Sequence, residues 1–473
     1  MLYNESYFDD FEILMVHEPQ GMYSLFETSI SNNQSEQLKI FKRIENDLLL
    51  FNANSFSDQV HFQFAYQTPV QRWFPYREGY SVKMVNSFIK ELGIKGNVFD
   101  PFSGSGTTLL SARHNGLPSF GIDVNPISVL VAKVENEQYN DFDIGSIKIE
   151  IDKFRLIIEQ QKEYSTSFDL AKKVFNKEIL NNLLCFKEHI SNIKEEKTRN
   201  LFLVAWLSII EEVSNIKKEG NGIKYKNRKR TSNGYININK DIWEMNNFPD
   251  DKFNFVKNKL LRRFELILSD IQYDFGPNSH KPNIFTGSCL EFDRFFQDKI
   301  EFTFFSPPYC NCFDYFEIHK IDLWLSEIIK DKEEFRRLKN TGFRSNTNSL
   351  SHKPILYRNE QLESLINLFD SERLWSSKIP NVVRGYFDDF YALLNKLYYQ
   401  TLKGGYVGIV VGNSAYSGVI IPTDILIANI AKEIGFKVKN IFITRHLTTS
   451  SQQKQELENL KNYLRESIVV LQK

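Results

Sequence analysis

Apolar runs bounded by polar turns alternate with helical patterns in the first part of the chain. The run NVFDPF, which begins at Asn97, is followed by a polar turn, by a short helical pattern that ends at Gly116, and by a second apolar run, LPSFGIDVN. A further helical pattern opens with Pro126, and proline is common in the first turn of a helix. This alternation of strands and helices predicts a parallel sheet with helices on its faces.

The periodicity changes in the middle of the chain. Residues 145–215 carry long helical patterns with few strand signals, and strand patterns return late in the sequence. The last two apolar runs, GFKVKNIFITRHL and ESIVVLQK, predict an antiparallel pair at a sheet edge. We predict one doubly wound α/β domain that is interrupted by a largely helical insertion. Residues 1–60 form an N-terminal extension of unassigned role, and 61–145 form the first part of the domain. The insertion is 146–282, and the second part of the domain is 283–473, with an irregular loop at 335–385.

The composition is that of a folded protein, and the positive and negative charges balance over the whole chain. The chain has 473 residues, 42% of them hydrophobic, and a formal net charge of zero, so nucleic-acid contacts would need local basic patches. The four cysteines show neither metal-ligand spacing nor a disulfide framework, which is typical of a reducing compartment. The N-terminus lacks the pattern of a signal peptide, and no apolar run approaches the roughly 20 residues that span a bilayer. We therefore expect a cytoplasmic protein that does not associate with membranes.

The polar turn DPFSGSGTT, at 100–108, stands directly after a predicted strand and before a predicted helix. In a parallel sheet this is where ligands bind. Gly104 and Gly106 have no Cβ, so the backbone there can take positive φ and approach a ligand closely. Asp123 ends the next strand, from which a carboxylate can accept both hydroxyls of a ribose. The pattern predicts a pocket for a nucleoside cofactor, and a plain tight turn beside a surface Asp is the alternative.

The residues around the turn narrow the cofactor class. Thr107 and Thr108 stand where a P-loop needs Lys and then Ser or Thr, and Leu109 replaces the third glycine of the dinucleotide fingerprint. Asp100 beside the turn would repel a pyrophosphate and attract a cation. A positively charged nucleoside is therefore favoured, and S-adenosylmethionine fits because it carries a sulfonium and an ammonium group.

A second polar motif, Ser306-Pro307-Pro308-Tyr309, follows the apolar run FTFF. Two consecutive prolines donate no backbone hydrogen bonds and hold the chain extended. The motif leaves carbonyl acceptors, a hydroxyl and an aromatic face, which together suit a planar ring that bears an amino group. A proline stop after a strand, followed by a structural tyrosine, is the alternative.

Together the two motifs resemble those of the S-adenosylmethionine-dependent amino-methyltransferases of DNA. DPFSGSGTT is similar to their cofactor loop, SPPY to their catalytic tetrapeptide, LKGGYVGIVVGNS (402–414) to a later strand, and YQTPVQRWFPYREGYS (66–81) to the segment beside the methionine end of the cofactor. The resemblance covers about 60–145 and 283–473. It implies a Rossmann-like, mostly parallel seven-stranded sheet with an antiparallel edge hairpin. It also implies S-adenosylmethionine as cofactor and double-stranded DNA as substrate.

The resemblance assigns roles to individual residues and implies no metal site. The residues that would hold a flipped base are Ser306, Pro307, Pro308 and Tyr309. Those that would bind the cofactor are Phe74, Asp100, Pro101, Phe102, Gly104, Ser105, Gly106, Thr107, Asp123 and Ser288. Where the family often has Gly-Asp near the cofactor adenine, this chain has Gly287-Ser288. Backbone or hydroxyl contacts are therefore expected at that position.

The implied reaction is methylation of the exocyclic amino nitrogen of a base that has been flipped out of the duplex. Ser306 and the Pro307 carbonyl would accept hydrogen bonds from the amino group, so positioning would be a main contribution to catalysis. Serine at the first tetrapeptide position resembles the cytosine-N4 subgroup, which we favour. An adenine-N6 enzyme, an RNA guanine-N2 enzyme and an inactive nucleic-acid-binding module are the alternatives. As part of a restriction-modification system, the enzyme would have a cognate endonuclease as a genetic rather than a physical partner, in the cytosol or nucleoid.

Three stretches are candidates for contact with the nucleic acid. The stretch 338–360 is rich in Asn, Ser, Arg and His, types that read base edges, and could equally be a surface loop; 444–453 either faces substrate or forms an edge loop. A glycine-punctuated basic loop, KKEGNGIKYKNRKR, is suited to phosphate contacts, with solvated surface as its alternative. Its cations are Lys217, Lys218, Lys224, Lys226, Arg228, Lys229 and Arg230.

Overall fold

The computed structural model describes residues 32–60, 67–77, 79–219, 222–231, 234–271, 280–350, 354–447 and 456–473, with the side chains of Asn54 and Arg230 outside the description. In chain order the strands are β1 (Leu50–Asn52), β2 (Val98–Asp100), β3 (Ser119–Asp123), β4 (Ile216–Lys218), β5 (Ile223–Tyr225), β6 (Arg228–Thr231), β7 (Gly234–Asn237), β8 (Asn283–Thr286), β9 (Ile300–Phe305), β10 (Thr401–Gly412), β11 (Ser414–Tyr416), β12 (Val419–Ile421), β13 (Lys437–His446) and β14 (Arg465–Gln472).

The helices fall between these strands. They are α1 (Asn32–Ile44), α2 (Val82–Glu91), α3 (Thr107–His114), α4 (Pro126–Glu135), α5 (Asp141–Leu156), α6 (Asp169–Val174), α7 (Lys177–Ser191), α8 (Glu196–Ser208), α9 (Lys240–Asn247), α10 (Lys252–Ile271), α11 (Tyr315–Ile318), α12 (Lys320–Leu325), α13 (Lys332–Thr341), α14 (Glu360–Ile366), α15 (Ile379–Gln400) and α16 (Thr423–Ile434). None of the described helices is both long and apolar enough to cross a membrane.

Eight strands form the central sheet, in the order β1-β13-β14-β10-β9-β2-β3-β8. β14 runs antiparallel to both of its neighbours, and the other described pairings of this sheet are parallel. The predicted α/β class is confirmed, with eight strands instead of seven. The antiparallel pair of β13 and β14 is present, but it does not form the edge because β1 pairs with the outer side of β13. β1 has three residues, too few to show a strand period in sequence.

The sheet carries an apolar core on each face, as expected of a doubly wound fold. Alternate residues of one strand enter different cores: Val98 packs with Phe88 of α2 on one face, and Phe99 packs with α15 and α16 on the other. The same alternation divides Phe304 and Phe305 of β9. Strands covered on both faces are apolar throughout, which explains the continuous apolar runs in the sequence.

The predicted insertion is mainly helical and shares a core with α4 of the sheet domain, through Val131 and Val134. Phe154 of α5, Phe202 of α8 and Phe264 of α10 are buried together, with the ring centroids of Phe202 and Phe264 4.1 Å apart. The basic stretch within it is not a loop, because it forms two antiparallel hairpins, β4–β5 and β6–β7. Polar side chains on both faces of these strands conceal the alternation by which a strand is normally recognised.

Two further stretches are more regular than predicted. The segment at 335–385 contains α13, α14 and the start of α15, with Asp331 and Asn359 capping the first two of these helices through backbone N–H groups. The segment predicted as an N-terminal extension supplies α1 and β1, which belong to the sheet domain. The boundaries that divide the domain from the insertion stay a prediction.

A buried carboxylate joins the segment before α2 to the insertion. Asp270, near the end of α10, is inaccessible to solvent and accepts hydrogen bonds from the backbone N–H of Val70, from the Arg72 guanidinium and from the Trp73 indole. These bonds range from 2.5 to 3.1 Å. They position the chain that runs on to Tyr76, at the site described below.

Replacing Asp270 with alanine should lower the free energy of unfolding by about 3–5 kcal/mol, because two buried N–H donors and the partly buried Arg72 guanidinium lose an acceptor. Urea denaturation would measure the loss. As a control, Glu163→Ala breaks an ion pair with Lys177 in which both side chains are more than four-fifths exposed, and it should cost under about 1 kcal/mol. Equal losses in the two variants would contradict the assigned role of Asp270.

Candidate active site

The two polar motifs meet at one edge of the sheet, although they are far apart in the chain. β2 and β9 are adjacent parallel strands, with Val98 opposite Phe302 and Phe99 opposite Thr303. Parallel neighbours end at the same edge, so the turn after β2 and the tetrapeptide after β9 open into the same space. That space is a cavity of about 490 Å³, within the usual range for small-molecule sites.

Most of the predicted site residues line this cavity. On the side of the glycine turn they are Asp100, Pro101, Phe102, Gly104, Ser105, Thr107, Asp123 and Ser288, and on the other side they are Ser306, Pro307, Pro308 and Tyr309. Phe74 and Gly106 are not among the lining residues. Phe74 is buried in the core of the insertion, and Tyr76, two residues later, lines the cavity in its place.

The two glycines of the turn have positive φ, 49° at Gly104 and 90° at Gly106. Their missing side chains make room for the protein itself: a Cβ on Gly104 would lie 3.0 Å from the Tyr76 ring, and one on Gly106 would lie 2.6 Å from the Asn136 amide nitrogen. The predicted backbone conformation is therefore present. The groups that approach the turn closely are Tyr76 and α4, which pack against it.

Asp123 ties the turn to the end of β3. Its Oδ2 accepts the backbone N–H of Gly104 at 2.9 Å, and its Oδ1 accepts that of Asn125 at 2.8 Å. Burial raises the pKa of its carboxyl, and the two backbone hydrogen bonds oppose that shift. Each carboxylate oxygen retains a free lone pair that can accept a further hydrogen bond.

Asp100 is the most perturbed acid of the cavity. It is 1% exposed, accepts the backbone N–H of Phe102 at 2.9 Å and receives the Tyr80 hydroxyl at 3.2 Å. Burial, reinforced by the charge of Asp123, raises the pKa of Asp100 to about 7, although its hydrogen bonds act in the opposite direction. The carboxyls of Asp100 and Asp123 thus share the wall beside the glycine turn.

The described cations on the cavity wall are already paired with other acids. Each has a carboxylate of its own: Arg77 contacts Glu211, Lys218 contacts Asp322, and Arg445 contacts Glu466. The charge on Asp100 and Asp123 is therefore left to a ligand, and the cavity favours a cation.

On the opposite wall, Tyr309 is held by the last strand of the sheet. Its hydroxyl donates to Glu466 Oε1 at 2.6 Å, and its ring lies so close to β10 that a Cβ on Gly412 would be 2.8 Å from it. Burial, followed by the negative charge of Glu466, raises the pKa of the Tyr309 hydroxyl, while a hydrogen bond with Ser306 lowers it. The hydroxyl is thus held by the buried side chain of Glu466.

The Asn- and Ser-rich stretch supplies a third wall, which we call the 342–349 segment. Ser345, Asn346 and Ser349 line the cavity from it. The segment is anchored by Arg344, whose backbone N–H and guanidinium bind Asp389 while the guanidinium also contacts Asp388. The composition of the segment predicted a polar contact surface. The ion pair of Arg344 with α15 could not be predicted, because its partners lie far away in the sequence.

Several residues of the cavity were not anticipated. The lining residues outside the predicted set include Tyr76, Tyr80, Asn311, Arg445 and Glu466. Glu466 could have been suspected, because a carboxylate within the apolar strand RESIVVLQ is rarely buried without a specific partner.

The predicted phosphate contacts divide into two groups. Lys218 is buried against Asp322, and the Lys226 ammonium donates to the backbone carbonyls of Glu211 and Ser214. Neither is therefore available to a phosphate, which corrects the prediction for these two. Lys217 is exposed but pairs with Glu219 at 2.9 Å. Exposed on the hairpins are Lys224, Arg228 and Lys229.

Parts of three predicted contact segments lie outside the described residues. In 66–81 these are residues 66 and 78, in 338–360 they are 351–353, and in 444–453 they are 448–453. The Arg230 side chain is likewise outside the description. What is described of the third segment places Arg445 on the cavity wall.

The raised pKa of Asp100 makes the folded protein less stable as the pH rises. The folded state binds a proton up to about pH 7 and the unfolded chain only up to about pH 4, so stability attributable to this group is lost between these values, by at most about 4 kcal/mol. Asp100→Asn should therefore exceed the wild-type protein in free energy of unfolding by an amount that grows from pH 5 to pH 8.

Urea unfolding at pH 5, 6, 7 and 8 would measure this difference. Asp298→Asn, which alters an exposed carboxyl, is the matched control and should differ from the wild-type protein by a small amount that does not depend on pH. A pH-independent difference for Asp100→Asn as well would show that Asp100 does not titrate in this range.

Comparison with known proteins finds similar methyltransferases. No protein-family model matches the chain. It is similar to the Type II methyltransferase M.BsoBI of Geobacillus stearothermophilus, with 28% identity over 93% of this chain and 92% of the relative. It is similar to the Type II methyltransferase M.AvaI of Nostoc sp., with 25% identity over 89% and 88%, and to the Type II methyltransferase M.MvaI of Kocuria varians, with 23% identity over 71% and 74%. Along most of its length, therefore, the chain is similar to Type II methyltransferases, which supports the resemblance to the DNA methyltransferases of restriction-modification systems.

Proposed function

We propose that this protein transfers a methyl group from S-adenosylmethionine to the N4 amino group of cytosine at a specific site in double-stranded DNA. The observation that carries the proposal is that the glycine turn after β2 and the SPPY motif after β9 line the same cavity. The first is suited to a cationic nucleoside and the second to a planar amino-bearing base. The relatives' names support a methyltransferase of the restriction-modification type.

The acids of the cavity suit the charges of S-adenosylmethionine. Asp100 and Asp123 would face its ammonium and sulfonium end and its ribose hydroxyls, respectively, and Ser288 would offer a hydroxyl near the adenine. When bound, the cofactor supplies a methyl group activated for transfer. Because the described cations of the wall are engaged in ion pairs, a cationic ligand would relieve the repulsion between the two acids.

The SPPY motif would hold the target base. Ser306 Oγ and the Pro307 carbonyl would accept the two amino hydrogens, which draws the nitrogen lone pair out of conjugation with the ring. The half-buried ring of Tyr309, backed by Gly412, would stack on the base and offset part of the few kcal/mol that flipping costs. Positioning of the nitrogen would then contribute much of the rate enhancement.

Cytosine is favoured over adenine because the first tetrapeptide residue is Ser306 in place of an acid. A neutral hydroxyl suffices to accept from the amino group of cytosine. The 342–349 segment closes the same space with Ser345 and Asn346, whose neutral groups match the polar edge of a pyrimidine. Methylation of adenine N6 is the second candidate, since the relatives' names do not state the base.

The β6–β7 hairpin is the best candidate for contact with the DNA duplex. It exposes Arg228 and Lys229 on one strand and Tyr235 and Ile236 on the other, with the Arg228 guanidinium 4.3 Å from the centre of the Tyr235 ring. A two-stranded ribbon of this kind fits the major groove. The preceding hairpin borders the cavity through Lys218, so the basic ribbons would lie near DNA bound at the cavity.

Expression in bacteria that lack their own DNA methylation should yield genomic DNA with N4-methylcytosine at one recognition sequence. Nucleoside mass spectrometry and base-resolved sequencing would identify the base and the site together. Methyladenine without methylcytosine would overturn the choice of base, and unmodified DNA would contradict the proposed function. Ser306→Ala should reduce methylation by about 10²-fold, since it removes one acceptor of the amino group, while S-adenosylmethionine still binds.

Replacing Lys224 and Lys229 together with alanine should weaken DNA binding and reduce the slope of log K against log salt by about 2, because each phosphate contact contributes about 0.9. Fluorescence anisotropy at several salt concentrations would measure both. Lys403→Ala, an exposed lysine at the opposite edge of the sheet, should leave the slope unchanged. An unaltered slope in the double variant would exclude the hairpins from phosphate contact.

A further inference from the structure

A chain of side chains leads from the SPPY motif into the last strand of the sheet. Ser306 and Tyr309 lie three residues apart on the same wall of the cavity, and the Tyr309 hydroxyl donates to Glu466 Oε1 at 2.6 Å. All three side chains line the cavity. Glu466 is 2% exposed, so the chain runs from the space where the target amino group would lie to a carboxylate that is shielded from bulk water.

The chemistry of these groups gives the chain one direction. An ionised carboxylate can only accept, so the Tyr309 hydroxyl must donate to Glu466 and has only lone pairs left for Ser306. To join this chain, the Ser306 hydroxyl would donate to Tyr309 and keep its own lone pairs for the cavity. This leaves Ser306 as an acceptor for a substrate N–H group.

Neighbouring elements hold Glu466 and Tyr309 in place. Glu466 Oε2 accepts the Arg445 guanidinium of β13 at 2.5 Å, which keeps Glu466 Oε1 directed at Tyr309. The Thr444 hydroxyl donates to the Glu466 carbonyl at 2.9 Å. The Tyr309 ring is confined by Gly412 of β10. A tyrosine needed only to stack on a base would not require a buried carboxylate on its hydroxyl.

We propose that Ser306, Tyr309 and Glu466 form a proton relay that removes the surplus proton from the methylated amino group. Methylation of a neutral amino group leaves one proton too many on that nitrogen. As its N–H bond breaks and returns the electron pair to nitrogen, the proton passes to Ser306 Oγ, the Ser306 proton passes to Tyr309, and the Tyr309 proton passes to Glu466. Glu466 ends as a neutral acid, the base ends neutral, and no other reactant is consumed.

The relay rests on the proposed function and adds to it the destination of the proton. Ser306 is the member that touches the substrate, whereas Tyr309 and Glu466 act through it. General-base assistance of this kind typically contributes about 10²–10⁴-fold to a rate, so an interrupted relay should be visible in the chemical step.

The test compares Tyr309→Phe, Glu466→Gln and the double variant, on a duplex that carries the recognition sequence. Tyr309→Phe keeps the ring and the Glu466–Arg445 pair and removes only the bridging hydroxyl. Each single variant should lower the single-turnover rate by about 10²-fold, and the double variant should lose no more than either single one, because the relay acts as one unit. Tyr399→Phe, which removes an exposed hydroxyl remote from the cavity, is the matched control.

Three further measurements separate a relay from a positioning role. The Kd for S-adenosylmethionine, the melting temperature and the fluorescence of 2-aminopurine at the target position, which rises when a base leaves the stack, should match the wild-type values in Tyr309→Phe. If the rate and the flipping signal fall together, Glu466 positions the Tyr309 ring and the relay is overturned. Rates within about twofold of the wild-type rate would also overturn the relay. In either case, methylation by the wild-type protein would leave the proposed function intact.

Discussion

Parallel pairing of β2 with β9 is the constraint on which the site depends. The two strands come from different parts of the chain, and the helical insertion lies between them in sequence. Because parallel neighbours must end at the same edge, the pairing of Val98 with Phe302 brings the glycine turn and the SPPY motif together. The apolar faces of both strands, buried in two cores, fix their register.

Buried ion pairs then attach the irregular segments to this frame. Asp270 holds the segment before α2, Arg344 holds the 342–349 segment to α15, and Lys218 attaches the first basic hairpin to Asp322 of α12. A buried pair of this kind adds little net stability, yet it is costly to break. It therefore suits segments that need one defined position and have too little apolar surface to find it by packing.

The sequence was informative where a function needs particular residue types in one short run. The glycine turn and SPPY are such runs, and most of their residues line the cavity. It was less informative where a role depends on a distant partner. No local sequence feature distinguishes Lys218, which is buried against Asp322, from the exposed Lys224. Nor does the sequence around Phe74 indicate that Tyr76 would line the cavity instead. The position of Glu466 at the cavity depends on the antiparallel pairing of β14 with β10 and β13.

The short strand β1 has a consequence for the handling of this protein. β13 would present unpaired backbone groups along its outer side, and an uncovered strand edge is a template for association between chains. Leu50, Phe51 and Asn52 occupy part of that side through parallel pairing. A shortened version that begins after residue 60 would lose Val60 from the cavity wall but retain the glycine turn and the SPPY motif, and it would expose this edge. Intermolecular strand pairing would then lower its solubility.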